Sequence, residues 1–188
     1  MQASGFVLAG GQSTRMGRDK ALLPYRGTAL LEHVARTVLA AAGSVTVIGD
    51  PQRYGRFGLP VVADRIPGCG PLGGISTALS ITSTDWNLIV ACDMPAISEA
   101  ALRALIHRAA GSTRNCVAAA GPDGQPEPLC AVYHRRYLPV LECALREKRF
   151  KMRDLLLELA AEPWAVDAAA LANVNTPAEW DEFAKQPK

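Results

Sequence analysis

Short apolar runs alternate along the chain with stretches in which apolar residues recur every three or four positions. The first pattern is typical of strands buried in a sheet, and the second of helices that pack one face against it. Their regular alternation predicts an α/β fold of the Rossmann-like three-layer α/β/α kind, with a mostly parallel sheet. The predicted strands are Gly5–Ala9, Ser44–Ile48, Pro60–Ala63, Trp86–Cys92, Cys116–Ala120 and Pro128–Tyr133.

Capping residues mark several helix boundaries. Thr28 is expected to cap the first helix and Gly43 to end it, while Ser98 is expected to cap a later one. The segment Thr176–Glu179 combines a capping box with proline at the first helical position, and it predicts the start of the last helix. The expected apolar faces are Leu30, Leu31, Val34, Val38 and Leu39, then Leu72, Ile75 and Leu79, then Leu102, Leu105, Ile106 and Ala109, with further helices around Tyr137–Leu145 and Met152–Leu159.

The link Gly121–Gln125 is short and rich in turn residues, so it predicts a hairpin between the last two strands. One antiparallel strand should therefore enter the otherwise parallel sheet. No repeat, low-complexity tract or linker interrupts the sequence, which predicts a single domain over residues 1–188.

Composition narrows the function without changing the fold. The chain has 49% hydrophobic residues and a net charge of +2, which gives no reason to expect nucleic acid or a membrane as a partner. No apolar run approaches the ~20 residues of a membrane span, and the first residues lack the features of a signal peptide. The five cysteines show no Cys-x-x-Cys spacing, so neither disulfides nor zinc are expected, and a cytoplasmic location is the expectation.

The loop after the first strand carries the strongest chemical signal. Gly10 and Gly11 allow the backbone to approach a ligand closely, and Arg15 and Lys20 add two cations at the far end of the loop. Such a loop suits a nucleoside triphosphate, although no Gly-Lys-Ser/Thr of a Walker loop is present. The alternative is that both cations are solvated loop charges.

A second glycine-rich segment, Gly68–Gly73, matches the Gly-x-Gly-x-x-Gly pattern of dinucleotide-binding folds. That pattern normally follows the first strand, whereas here Arg65–Pro67 separates it from a later one. We therefore expect these glycines to allow close packing against a ligand or the sheet, and not to bind a nicotinamide or flavin.

Two aspartates, Asp64 and Asp93, each follow a predicted strand. Ligands of open α/β sheets collect at the carboxyl ends of the strands, so both carboxylates should line the crevice that receives the first loop. A carboxylate beside a triphosphate favours an intervening divalent cation, and Mg²⁺ with few protein ligands fits this arrangement. The alternative is that each aspartate only caps its strand end or the following turn.

The run Arg146–Arg153 contains five cations in eight residues. It is either a solvated helix end or a site for a second anionic substrate. The three histidines show no metal-binding spacing, and no Ser/His/Asp order is present. These absences fit a reaction whose nucleophile comes from the substrate.

Five segments occur in the order typical of one family: Leu8–Lys20, Gly70–Ile75, Cys92–Pro95, Glu127–Leu129 and Asn173–Pro177. Together they resemble the molybdenum cofactor guanylyltransferases, and the resemblance covers nearly the whole chain. Any one segment alone would indicate only a nucleotidyltransferase of the sugar-nucleotide kind.

The resemblance implies a nucleotide-diphospho-sugar-transferase-like fold and a nucleotidyl transfer. GMP from GTP would be joined to the phosphate of molybdopterin, with Mg²⁺ required and pyrophosphate released. Because that phosphate is already an anionic nucleophile, alignment and charge neutralisation matter more than acid–base chemistry. A delivery partner and target molybdoenzymes are also implied, although no residue of the sequence identifies them.

The resemblance assigns roles on the nucleotide side. Arg15 and Lys20 would hold the triphosphate and stabilise the departing pyrophosphate, and Asp93 would complete the catalytic set as the magnesium ligand. The full nucleotide-binding set would be Leu8, Ala9, Gly10, Gly11, Lys20, Asp64 and Asp93.

The resemblance also assigns residues to the molybdopterin side. These lie in the last three matching regions of the chain and in the basic run. They are Glu127, Arg149, Arg153, Asn173 and Asn175.

One stretch departs from the family pattern. Members often carry an asparagine just after the second strand, where it helps recognise guanosine, whereas this chain has Gly49, Asp50 and Pro51. An aspartate could accept from the guanine N1–H and 2-amino group as an asparagine carbonyl does. The departure concerns the base contacts and not the reaction.

Three alternatives stay open at this point. Molybdopterin cytidylyltransferases look similar, but they usually have Leu-Ala-Ala-Gly in place of Leu8–Gly11 and lack Gly70–Ile75. Sugar-phosphate nucleotidyltransferases usually need a longer C-terminal half. A non-catalytic nucleotide- or pterin-binding module would have no need of Arg15, Lys20 and Asp93 to stabilise a leaving pyrophosphate.

Overall fold

The computed structural model joins the main strands into one seven-stranded sheet, with a two-stranded hairpin beside it. It describes residues 1–10, 19–174 and 176–184. In chain order the strands are Ala3–Ala9 (β1), Pro24–Tyr25 (β2), Thr28–Ala29 (β3), Thr46–Gly49 (β4), Val61–Val62 (β5), Trp86–Ala91 (β6), Cys116–Ala120 (β7), Pro126–His134 (β8) and Glu162–Ala165 (β9).

The order of strands across the sheet is β5-β4-β1-β6-β8-β7-β9. Within the described ranges β8 pairs antiparallel with both neighbours, β6 and β7, and the other pairings in this sheet are parallel. The predicted hairpin and the single antiparallel strand are therefore confirmed. Because β8 runs against β6, its amino-terminal end lies at the same edge of the sheet as the carboxyl ends of β1 and β6.

Helices cover both faces of the sheet, which confirms the three-layer arrangement. One apolar cluster lies between the sheet and the helices that contribute Leu31, Leu102 and Trp180, and the other lies beneath Leu72 and Leu155. The helices are Leu30–Ala42 (α1), Pro51–Tyr54 (α2), Pro71–Ile81 (α3), Glu99–Gly111 (α4), Leu138–Arg146 (α5), Met152–Glu158 (α6) and Pro177–Ala184 (α7), with 3-10 turns at Lys20–Leu22, Gly55–Phe57, Arg135–Tyr137 and Ala168–Leu171.

Two expectations for α1 were wrong. Thr28 does not cap this helix, because it lies in β3, where its hydroxyl donates to the Tyr25 carbonyl; Ala29 occupies the cap position. Leu39 is 43% exposed, since it stands one residue beyond Val38 and about 100° further around the helix axis. The buried face is completed by the smaller Ala35.

Two predicted caps are confirmed. The Ser98 hydroxyl accepts from the Ala101 N–H at 3.2 Å at the start of α4. In the capping box of α7, the Thr176 N–H donates to Glu179 at 3.1 Å, and the Glu179 N–H donates to the Thr176 hydroxyl at 3.2 Å. The hairpin of β2 and β3 and the edge strand β9 have no counterpart among the predicted strands.

None of the helices in the described part of the chain combines the length and apolar character that a bilayer span requires.

Candidate functional site

A cleft opens at the carboxyl ends of β1 and β6, the position predicted from the general behaviour of open α/β sheets. Its walls come from the end of β1, the Lys20–Leu22 turn and the end of β6 with the segment after it. Single residues of α2, α3 and β8 complete them. The lining residues are Leu8, Ala9, Gly10, Asp19, Lys20, Ala21, Tyr54, Pro71, Ala91, Cys92, Asp93 and Leu129.

Lys20 and Asp93 meet inside this cleft although 73 positions separate them in sequence. The Lys20 ammonium donates to Asp93 Oδ2 at 3.4 Å, and both side chains are about four-fifths buried, with exposed fractions of 18% and 21%. They meet because β1 and β6 are neighbouring parallel strands whose carboxyl ends deliver both segments to one edge. The structure thus brings together the two described members of the predicted catalytic set. Arg15 lies outside the described residues.

The end of β1 contributes backbone to the cleft. The Leu8 carbonyl accepts from the Cys92 N–H at 3.1 Å, so β1 and the segment that carries Asp93 stay in register beyond β6. The Leu8 side chain fills the space beside Gly74, where an added Cβ would come within 3.2 Å of it. Ala9 and Gly10, two of the predicted nucleotide-binding residues, line the cleft, and Gly11 lies outside the described residues.

Asp19 also lines the cleft and was missed by the sequence reasoning. Its Oδ1 accepts from the Ala21 N–H at 3.0 Å and caps the Lys20–Leu22 turn, while its Oδ2 accepts from the Tyr54 hydroxyl at 2.9 Å. An aspartate directly before a short helical turn is a local capping signal that the sequence does contain. No local signal connects it to Tyr54.

Asp64 follows β5 as predicted but is not among the described residues that line the cleft. Its Oδ1 accepts from the Thr77 hydroxyl at 2.9 Å and from the Ile66 N–H at 3.0 Å. A Cβ added at Gly73 would lie 2.9 Å from Asp64 Oδ2, so the glycine leaves room for the carboxylate against α3. This is the geometry expected of an aspartate that caps the turn after its strand.

Glu127 lies at the same edge because β8 is antiparallel. Val90 pairs with Cys130, and extension of that register brings Glu127 opposite Asp93. The pKa of Glu127 is raised, mainly because the side chain is buried. The Asp93 charge raises it further, while the hydrogen bond from the Leu129 N–H at 3.0 Å and the Arg153 charge oppose the shift. Glu127 is thus close enough to Asp93 and to Arg153 for both charges to act on it.

The remaining residues assigned to the molybdopterin side separate into two groups. Asn173 precedes Val174, whose N–H donates to the Asp93 carbonyl at 3.1 Å, so this segment lies against the cleft. Arg149 instead forms ion pairs with Glu147 and Glu158, both at 2.7 Å. Asn175 lies outside the described residues.

At the departure from the family pattern, which lies at the end of β4, packing leaves no room for a side chain at Gly49. Gly49 is paired with Ala9, and a Cβ added there would lie 2.4 Å from the Ala9 carbonyl and 2.8 Å from the ring of Tyr54. A larger residue at this position would displace that ring. Asp50 caps α2 by accepting from the Gln52 N–H at 2.9 Å and pairs with Arg53 at 3.3 Å.

The donor set of the cleft fits magnesium better than a soft metal. Within the described ranges no three His, Cys, Asp or Glu side chains cluster as a ready-made metal site. Mg²⁺ usually takes only one or two protein carboxylates together with substrate phosphates, and Asp93 can supply one of them. Burial raises the pKa of the neighbouring Cys92 thiol, so the fold favours its neutral form.

Comparison with known proteins identifies one family. A model of the MobA-like NTP transferase domain matches residues 5–163. A protein of Carboxydothermus hydrogenoformans named "Probable molybdenum cofactor guanylyltransferase" is 32% identical over 95% of this chain and 93% of its own length. One of the same name from Pelotomaculum thermopropionicum is 35% identical over 95% of this chain and 90% of its own.

Solved structures show the same fold. Molybdopterin-guanine dinucleotide biosynthesis protein A from Archaeoglobus fulgidus superposes with a TM-score of 0.82 at 22% identity, covering 97% of both chains. A CMP:2-keto-3-deoxy-manno-octonic acid synthetase in complex with CTP superposes with a TM-score of 0.79 at 16% identity, over 98% of this chain and 97% of its own. At these identities the likeness concerns the fold alone.

Proposed function

This chain belongs to the family of MobA-like NTP transferase domains and is a nucleotidyltransferase, and on this premise we propose that it transfers GMP from GTP to the phosphate of molybdopterin. The products are molybdopterin guanine dinucleotide and pyrophosphate. The observation that carries the proposal is the Lys20–Asp93 pair at the carboxyl ends of β1 and β6. Glu127 lies at the same edge of the sheet, on the neighbouring strand β8, where the Asp93 charge acts on it. The proposal also requires a supplier of molybdopterin and a molybdoenzyme that accepts the product.

On the nucleotide side, the end of β1 and the first loop receive GTP. Leu8, Ala9, Gly10 and Gly11 contact the base and the phosphates. Backbone N–H groups in such a loop bind anions without a change of protonation state.

Lys20 and Arg15 complete the triphosphate site as cations. Lys20 neutralises charge on the triphosphate and on the departing pyrophosphate, and Arg15 is proposed to do the same. Asp64 acts on the guanosine part indirectly, by holding the turn after β5 against α3.

Asp93 is the residue proposed to hold Mg²⁺. When bound there, the ion supplies charge neutralisation between the carboxylate and the phosphates. Asp19 is less suited to this task, because both of its oxygens already accept hydrogen bonds within the protein.

The transfer itself needs alignment more than acid–base catalysis. A phosphate oxygen of molybdopterin attacks the α-phosphorus of GTP, the bond from that phosphorus to the β-phosphate bridging oxygen breaks, and pyrophosphate leaves with the electron pair. Charge builds on the phosphoryl oxygens and the leaving group, where Lys20 lies within reach.

On the acceptor side, Glu127, Arg153, Asn173 and Asn175 are proposed to bind molybdopterin. Arg153 is the better-placed cation of the basic run, because the guanidinium of Arg149 is held by two carboxylates. We propose that Arg149 has a structural role, because its ion pair with Glu158 holds the basic segment beside α6.

The test is pyrophosphate release by the purified enzyme with Mg²⁺ and molybdopterin, with GTP and CTP compared in parallel reactions. Release that depends on both GTP and molybdopterin is the expected result. CTP-dependent release would overturn the choice of base but keep the reaction. If the protein binds a nucleotide but releases no pyrophosphate with either GTP or CTP, it is a binding module and not an enzyme.

A further inference from the structure

The Lys20 ammonium is carried by a single turn whose position is fixed from outside the first loop. Asp19 lies directly before this turn, and its Oδ1 accepts from the Ala21 N–H. Its Oδ2 accepts from the Tyr54 hydroxyl at 2.9 Å, across 35 positions of sequence. The turn that carries Lys20 is therefore tied to α2, which follows the neighbouring strand β4.

Tyr54 is itself held firmly. The residue is only 5% exposed, and its ring packs on Gly49 at the end of β4. The ring fills the space in which a side chain at position 49 would stand, so its hydroxyl has little freedom to move. Arg53 also approaches Asp19 Oδ2, at 3.4 Å, but its side chain is 63% exposed and solvent weakens the pair.

The second oxygen of Asp19 does more than a helix cap requires. A cap needs one acceptor oxygen for one backbone N–H, and Oδ1 fills that need. A hydrogen bond from a buried tyrosine to a carboxylate is stronger than one between neutral groups. Asp19, Lys20 and Tyr54 all line the cleft, which places this bond beside the proposed triphosphate site.

We propose that the Tyr54–Asp19 hydrogen bond is a positioning device for Lys20, which it holds toward Asp93 before the triphosphate binds. Asp19 and Tyr54 act through Lys20 and are positioning residues; the inference rests on the role proposed above for Lys20. A lysine held in place loses less side-chain freedom when the ligand arrives, so binding and transfer are both favoured.

The test is a double-mutant cycle on Tyr54→Phe and Lys20→Ala, with GTP affinity measured by titration calorimetry in Mg²⁺ and turnover by pyrophosphate release. Loss of one hydrogen bond to a carboxylate is expected to lower both GTP affinity and kcat/KM for GTP about tenfold when Lys20 is present. In the Lys20→Ala background, Tyr54→Phe should change each of these quantities less than about twofold, because the residue that it positions is gone.

Tyr137→Phe is the matched control. The Tyr137 hydroxyl donates to the Leu159 carbonyl at 2.7 Å, so this variant also loses one tyrosine hydrogen bond, but outside the residues that line the cleft. Both variants should lower the melting temperature, and only Tyr54→Phe should weaken GTP binding. Equal weakening of GTP binding by both would reduce the Tyr54 bond to general stability and overturn the inference.

Asp19→Asn gives a second approach to the same bond. Its carbonyl oxygen can still cap the Lys20–Leu22 turn, while its amide nitrogen cannot accept from Tyr54. The variant should match Tyr54→Phe, and the double variant should be no worse than either. Additive losses would contradict the inference.

The results for these variants distinguish failure of the proposed function from failure of the positioning role. If Lys20→Ala binds GTP and turns over normally, the proposed function loses its triphosphate residue. If Lys20→Ala is impaired and Tyr54→Phe is equally harmful with and without Lys20, the proposed function stands and only the positioning role is lost.

Discussion

The two sides of the cleft are built differently. On the side proposed to bind GTP, here called the donor side, the carboxyl ends of the parallel strands β1 and β6 bring Lys20 and Asp93 together as an ion pair. Both oxygens of Asp19 on this side are hydrogen-bonded. On the side proposed to bind molybdopterin, here called the acceptor side, the antiparallel strand β8 brings Glu127 to the same edge of the sheet. Burial raises the pKa of its carboxyl group there. The three charged groups named on the donor side are therefore all paired or hydrogen-bonded, while the acceptor side retains a carboxylate whose ionisation the fold disfavours.

This contrast indicates how the work of binding is divided. On the donor side these contacts hold the charged groups in place before a nucleotide arrives. The acceptor side carries a group that costs the folded state stability, as is common where a protein keeps polar groups for a substrate. Four variants test this division.

The largest effect is expected from Asp93→Ala. The variant removes the proposed magnesium ligand from the donor side, and turnover should fall by about a thousandfold or more. Pyrophosphate release measures the loss, and circular dichroism with thermal melting should show an intact fold. Asp181→Ala, at an exposed position of α7, is the control. Near-normal turnover of Asp93→Ala would remove this residue from the reaction.

Arg153→Ala should produce the next largest effect, confined to the acceptor side. Loss of a charge-assisted contact to the substrate should raise KM for molybdopterin about tenfold and leave GTP affinity unchanged. Arg149→Ala is the matched variant from the same basic run; it removes exposed ion pairs and should change KM less than about twofold. The reverse ranking of the two arginines would reassign the acceptor site.

Glu127→Gln should raise the stability of the protein at neutral pH and at the same time weaken its binding of molybdopterin. A carboxyl group whose pKa is raised in the folded state contributes stability at low pH and loses it as pH rises through the folded pKa. The glutamine can still accept from the Leu129 N–H and does not ionise, so thermal melts should show the variant more stable than the wild type at pH 7 and equal to it near pH 4. KM for molybdopterin should rise about tenfold in the same variant. A stability difference that does not vary with pH would contradict the raised pKa.

Asp50→Asn should have the smallest effect. The Asp50 carboxylate is already used by the Gln52 N–H and by Arg53, and asparagine is an equally good helix cap. The preference for GTP over CTP should change less than about twofold in competition assays. A large loss of that preference would mean that Asp50 recognises the base.

The local parts of this site could be predicted from sequence. Asp93 stands at the end of an apolar run, so its place at the carboxyl edge followed from the strand that precedes it. The turn residues Gly121–Gln125 likewise predicted a hairpin with one antiparallel strand, which the structure shows to be β8. In each case the signal lies within a few residues of the feature that it predicts.

The missed features depend on contacts between distant segments. Nothing near Asp19 shows that its carboxylate will meet Tyr54, and Arg149 and Arg153 look alike in sequence although their partners differ. The edge strand β9 is short and contains a proline, so it lacks the alternating pattern of a strand and forms only by pairing with β7. Such contacts are set by the assembled fold and not by local preference.

The hydrogen bond from the Val174 N–H to the Asp93 carbonyl has a consequence for synthesis of the chain. It joins the segment around Val174 to the backbone of Asp93, a residue that lines the cleft. In a chain that leaves the ribosome amino end first, this hydrogen bond can form only after Val174 has emerged. The pairing of β1 with β6 does not have to wait for it, because both strands come earlier in the chain.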